Sequence, residues 1–172
     1  MVENKYRQVK WGLIGAGDFG LLYAQIMQKL PNVDIVSVYS RTEKNAIKAA
    51  KAFNIPKWYT DYNELINSDD VEAVMIVTSE PYHFGPAMAA LKAGKHVILE
   101  KPITPTLKEA DEMIAESKKA GVVFAVAHIL PFHNHYAMAK VEIDNGSVGD
   151  IVAMYARRNA ASIWGEKIQN HS

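Results

Sequence analysis

Val9-Lys10-Trp11-Gly12-Leu13-Ile14-Gly15-Ala16-Gly17-Asp18-Phe19-Gly20 is the stretch that decides how this chain folds. A short apolar run with strand character leads into G-x-G-x-x-G, and an apolar-periodic helical segment follows at once. In that setting each glycine has its own task. Gly15 allows a tight turn off the strand. Gly17 has no Cβ, so a pyrophosphate can approach the backbone. Gly20 lets the helix lie close to the strand. The start of the helix then directs unpaired N–H groups and a partial positive charge at the phosphates. A strand before and a helix after separate a dinucleotide fingerprint from an ordinary glycine-rich turn.

Outward from this stretch, the chain alternates between the two kinds of element. Val9–Ile14, Val33–Tyr39, Trp58-Tyr59, Ala73–Thr78, His96–Leu99 and Val122–Ala127 read as strands. Asp18–Leu30, Glu43–Phe53, Tyr62–Ile66, Pro81–Ala93, Leu107–Ala120 and Asn134–Asp144 read as helices, with Phe19, Leu22, Ile26 and Leu30 sharing one face of the first. Thr42 and Asp61 stand at N-cap positions, proline opens the fourth helix, and Gly94 and Gly121 stop the fourth and fifth. The unbroken apolar run from Ala73 suits a strand covered on both faces. The pattern predicts the α/β class, with a doubly wound parallel sheet. Ile151–Arg158 reads as one more strand with no sheet to join. Residues 1–146 are therefore expected to be a dinucleotide-binding domain, and residues 147–172 the start of an incomplete second, α+β domain.

Bulk composition narrows the function classes. Nineteen Lys and Arg balance nineteen Asp and Glu, so no general attraction draws the chain to nucleic acid or an anionic membrane. With no cysteine, disulfides, thiolate metal sites and cysteine nucleophiles are excluded. Residues 1–10 are too polar for a signal peptide, and no apolar run approaches the ~20 residues that span a bilayer. A soluble protein of the cytoplasm is the expectation.

Three strand ends carry candidate site residues. Ser40-Arg41 closes the second strand, where an NAD binder is expected to hold an acidic residue for the ribose 2′-OH. A hydroxyl and a guanidinium there favour NADP over NAD, because Arg41 welcomes a 2′-phosphate and no carboxylate repels it. In an NAD complex Arg41 would instead stack on adenine. Thr78-Ser79-Glu80-Pro81-Tyr82-His83 follows the buried fourth strand, so Thr78, Ser79 and His83 are candidates for cofactor contact. Glu100-Lys101-Pro102 follows the fifth and suits substrate binding and proton work; a cis Lys101–Pro102 bond is one way to aim the lysine inward. His128, His133 and His135 have no carboxylate or cysteine completing a ligand set, so no metal site is expected.

Taken in order, these motifs resemble the glucose–fructose oxidoreductase and inositol dehydrogenase family, written Gfo/Idh/MocA. The resemblance rests on Val71-Glu72-Ala73-Val74-Met75-Ile76-Val77-Thr78, on His83, on Ala93-Gly94-Lys95-His96-Val97-Ile98-Leu99-Glu100-Lys101-Pro102 and on Asn145-Gly146-Ser147-Val148-Gly149-Asp150-Ile151. It implies a Rossmann-type domain in which Gly15, Ala16, Gly17, Asp18, Phe19 and Gly20 bind pyrophosphate and Ser40 and Arg41 meet the adenosine ribose. It further implies that Thr78, Ser79 and His83 line the nicotinamide side. Glu100 and Lys101 would reach the nicotinamide ribose and the substrate, with Lys101 as the catalytic lysine. The implied partner is a small sugar or polyol, and the implied assembly a homo-oligomer built through the second domain. The chain departs from the family pattern in three places. Thr78-Ser79-Glu80 replaces Thr-Pro-Asn, an arginine near Pro131 is absent, and no segment matches the aspartate and histidine of the second domain. The expected activity is hydride transfer between a nicotinamide and a secondary alcohol, with weak turnover by these residues alone. A non-catalytic NAD(P)-binding sensor or assembly module is the alternative, and transient oxidation that cleaves a glycosidic bond is a third.

Overall fold

β1 (Val9–Ile14) lies inside a six-stranded sheet, paired in parallel with β2 (Val33–Tyr39) on one side and β4 (Ala73–Ile76) on the other. β3 (Lys57–Tyr59) extends the sheet beyond β2, and β5 (His96–Leu99) and β6 (Phe124–Val126) extend it beyond β4. The order β3-β2-β1-β4-β5-β6, parallel throughout, is a Rossmann-like α/β architecture, as the sequence predicts. The computed structural model describes residues 7–157. The chain divides into two compact units, Met1–His128 and Ile129–Ser172.

Helices cover both faces of the sheet. α1 (Asp18–Met27) and α2 (Glu43–Ala52) bury Ala24, Met27, Ala49 and Ala50 against Leu13, Ile35, Val38, Met75 and Val77. On the other face α3 (Tyr62–Ile66), α4 (Phe84–Lys92) and α5 (Leu107–Ala120) bury Leu65, Ile66, Ala87, Ala90, Leu91 and Met113. Those side chains meet Ile14, Val74, Ile76, Val97 and Leu99. All four residues of β4 are buried, which is why that strand carries no polar residue. Asp61 caps α3 by accepting from the Asn63 N–H at 2.8 Å. Thr42 holds the N-cap position of α2, but its side chain makes no capping bond. Gly94 and Gly121 follow α4 and α5 in the left-handed region.

Phe19, Leu22, Ile26 and Leu30 share a side of the first helical segment, and it is the outer one: each is close to half exposed. The buried positions hold Gly20, Ala24 and Met27, and at its start the helix docks too closely for any side chain at Gly20. Two sequence expectations are corrected. The fourth helix begins at Phe84 rather than Pro81, and a 3-10 turn, Glu80–Tyr82, takes up the proline. Residues 151–157 do not form a strand, and among the described residues none pairs with them; Arg158 lies outside the described residues. In the second unit α6 (Asn134–Asp144) forms as predicted.

Candidate dinucleotide site

The topology creates one crevice. After β3 the chain crosses to the opposite side of β1, so the connections leaving β1 and β4 diverge at their carboxyl ends. Gly15 occupies that point with φ of +117°, a conformation that disfavours any side chain. Its N–H donates to the Tyr39 carbonyl at 3.0 Å, and a Cβ on it would sit 2.7 Å from the Val77 carbonyl oxygen. Three strand ends thus converge on one glycine.

The rest of the loop fits a pyrophosphate. Gly17 is the N-cap of α1 and no side chain caps the helix there, which leaves the anion-attracting end of the helix dipole uncovered by a cap. A Cβ on Gly17 would meet nothing within 4 Å, so the open side of the loop faces free space. A Cβ on Gly20 would overlap the Gly15 carbonyl oxygen, so the helix begins pressed against the loop. Beside the loop lies a cavity of about 450 Å³ walled by the Ser40–Thr42 turn and by residues 77–82. That volume is in the range of small-molecule sites, ~300–1,000 Å³.

Aromatic rings shape the cavity further. Tyr39 and Tyr62 meet edge to face, with centroids 5.7 Å apart. Burial pushes the Tyr39 phenol above its ordinary value, and the nearby Arg41 charge partly offsets this. Arg41 is exposed and lies over the Tyr82 ring, 5.0 Å from its centroid. Ser40 is buried, and its N–H donates to the Tyr59 carbonyl at 3.2 Å.

A second group sits at the ends of β4 and β5. His83 is 1% exposed. Its Nδ1 is 2.8 Å from the Pro102 carbonyl oxygen and its Nε2 is 3.0 Å from that of Thr78, so the imidazole ties the two strand-end loops together. Glu100 Oε1 accepts from the Tyr23 hydroxyl at 2.6 Å, and Oε2 accepts from the Lys101 N–H at 2.7 Å. Lys101 is exposed, and the Lys101–Pro102 bond is cis. Gly15, Ala16, Gly17, Ser40, Arg41, Thr78 and Ser79 line the cavity; Asp18, Phe19, Gly20, His83, Glu100 and Lys101 do not. The rings of His133 and His135 stack at 5.2 Å. Among the described residues no group of three His, Cys, Asp or Glu can hold a metal ion.

Sequence reasoning missed Tyr23, Tyr62 and Tyr82. Tyr23 is the clearest loss: its partner Glu100 is 77 residues away, and no local pattern links them. Burial first, then the hydrogen bond and charge of Glu100, push the Tyr23 phenol well above its ordinary value of 10.0. A phenol raised on folding contributes stability that is fully present below that ordinary value and is lost as pH rises through the folded value. Tyr23→Phe should therefore flatten the alkaline limb of the stability-against-pH curve, measured by urea unfolding. An unchanged limb would contradict the assignment.

Residues 9–128 match the family model described as an oxidoreductase family with an NAD-binding Rossmann fold, Gfo/Idh/MocA. The chain belongs to the Gfo/Idh/MocA oxidoreductase family. An uncharacterized oxidoreductase of Streptococcus pneumoniae is 32% identical over 159 residues, 92% of this chain and 42% of the relative. The 1,5-anhydro-D-fructose reductase of Ensifer adhaerens is 32% identical over 144 residues, 84% of this chain and 43% of the reductase. A scyllo-inositol dehydrogenase from Lactobacillus casei, solved with NAD(H) and scyllo-inositol, matches with a TM-score of 0.79 at 26% identity. That match covers 84% of this chain and 43% of the dehydrogenase. The Gfo/Idh/MocA chain described here thus spans less than half the length of these relatives. Among its described residues no helix is long and apolar enough to cross a membrane.

Proposed function

We propose that this chain is the cofactor-binding domain of an oxidoreductase that moves a hydride between a nicotinamide cofactor, preferentially NADP, and a secondary alcohol of a sugar or cyclitol. The observation that carries the reading is the cavity between the glycine loop and Arg41, whose Gly17 side is open. The reductase and the inositol dehydrogenase among its relatives support the substrate class. Their greater length supports a substrate domain that follows near residue 147.

Bound nicotinamide supplies hydride acceptance and donation; the chain's own residues orient it. Gly15 shapes the turn, and backbone N–H groups within residues 16–20 would hold the pyrophosphate, with the start of α1 adding its partial charge. Ser40 and Arg41 take the adenosine ribose and its 2′-phosphate, and Thr78 and Ser79 line the route toward the nicotinamide. His83 acts there by fixing the Thr78 and Pro102 carbonyls. Glu100, held by Tyr23, faces the nicotinamide ribose. Lys101 is the catalytic residue, placing a cation beside the substrate hydroxyl so that its proton leaves more easily.

The test is an equilibrium titration of the chain with NADPH and with NADH, followed by quenching of Trp11 and Trp58. NADPH should bind more tightly. Arg41→Ala should remove that preference, weakening NADPH by about tenfold to a hundredfold, the worth of a charge-assisted contact of ~1.5–3 kcal/mol. Tighter binding of NADH overturns the NADP choice, and binding of neither overturns the cofactor reading.

A further inference from the structure

Arg41 and Tyr82 come from different strand ends, yet they meet. Arg41 follows β2 and Tyr82 ends the 3-10 turn after β4, and both line the same cavity. Each is held at its base. The Tyr82 N–H donates to the Ser79 carbonyl at 2.8 Å, and the Tyr82 carbonyl accepts from the Thr78 hydroxyl at 3.1 Å. On the other side, Ser40 is bonded to Tyr59, and the Thr42 carbonyl accepts from the Asn45 and Ala46 N–H groups.

We propose that Tyr82 determines cofactor choice by holding the Arg41 guanidinium in place for the 2′-phosphate. This inference rests on the NADP reading above. A guanidinium offers two kinds of surface: its faces lie on aromatic rings, while its edges carry the N–H donors. The Arg41 guanidinium carbon lies over the Tyr82 ring, 5.0 Å from its centroid. A guanidinium that rests on the ring by one face keeps its edge for a bidentate contact with phosphate oxygens. An arginine on an exposed turn would otherwise have to be ordered by the phosphate itself, at a cost in side-chain entropy. The ring supplies that order in advance.

The geometry also opposes a simpler role, in which adenine slides between the two side chains. A planar ring with a neighbour on each face needs about 7 Å between those neighbours, two layers of about 3.5 Å. The observed 5.0 Å leaves no such slot. The two roles differ in outcome, because adenine is common to both cofactors and the 2′-phosphate is not.

Dissociation constants of NADPH and NADH for the whole chain decide the matter, measured for Tyr82→Ala and Tyr82→Phe at one fixed ionic strength. Tyr82→Ala should lower the NADPH:NADH affinity ratio by about threefold to fivefold, the range expected of an exposed cation–π contact. Tyr82→Phe keeps the ring and should keep the ratio. In an Arg41→Ala background, Tyr82→Ala should leave the ratio unchanged, because the group it orients is gone. Equal losses for both cofactors, or no change in either, overturn the proposal and leave the NADP reading standing. A wild-type chain that prefers NADH, or binds neither cofactor, fails the NADP reading itself and the proposal with it.

Discussion

Gly20→Ala should destabilise the fold by about 2–3 kcal/mol, as overpacking against a rigid neighbour does. The sign runs against helix propensity, under which alanine inside a helix gains about 1 kcal/mol over glycine. Here the added Cβ overlaps the carbonyl oxygen of Gly15. That atom is backbone, so no rotamer change relieves the contact; the loop or the helix has to move. Gly17→Ala should fail in the opposite way. Its φ of −80° and ψ of −173° suit alanine, and its Cβ would meet only open space. Stability should stay within about 0.5 kcal/mol of wild type. The methyl group would stand where the pyrophosphate approaches, and cofactor binding should weaken at least about tenfold, equivalent to one lost charge-assisted bond of ~1.5 kcal/mol. Urea unfolding and a cofactor titration on both variants separate the two roles. A Gly20→Ala protein as stable as wild type would refute the tight docking of α1.

His83→Leu should cost about 2 kcal/mol of stability, although leucine is an apolar residue placed at a buried position. The imidazole is buried between the carbonyls of Thr78 and Pro102. An imidazole with one N–H donates to one of the two carbonyls; leucine donates to neither, and the acceptor left unpaired costs about 1–3 kcal/mol. His83→Gln keeps a donor and should lose less. Both variants should also loosen the strand-end loops, so cofactor affinity should fall with stability. Urea unfolding of the two variants checks this. A loss below about 1 kcal/mol for leucine would mean that the two carbonyls find other partners.

The strands were legible because this sheet is covered on both faces: the run from Ala73 to Ile76 has no reason to be polar and is not. The glycine fingerprint was legible because its three constraints are local to one turn. The outer face of α1 was not, since periodicity finds a stripe of large apolar residues without saying that the buried positions hold Gly20, Ala24 and Met27. Residues 151–157 show the same limit, because strand character needs a pairing partner and none of the described residues supplies one. In the site, Arg41 could be chosen from its position after β2. The contacts that organise the site could not: Tyr23 reaches Glu100, His83 reaches Pro102, and Arg41 meets Tyr82 only after the sheet is assembled.

The most direct measurement is a titration of the isotopically labelled chain with NADPH, following the backbone amides by nuclear magnetic resonance. The account predicts saturable shifts concentrated in residues 15–20, 40–42, 77–82 and 100–101, with α5 and β6 unmoved. Shifts that leave the glycine loop untouched while another surface responds would contradict a dinucleotide site at this crevice.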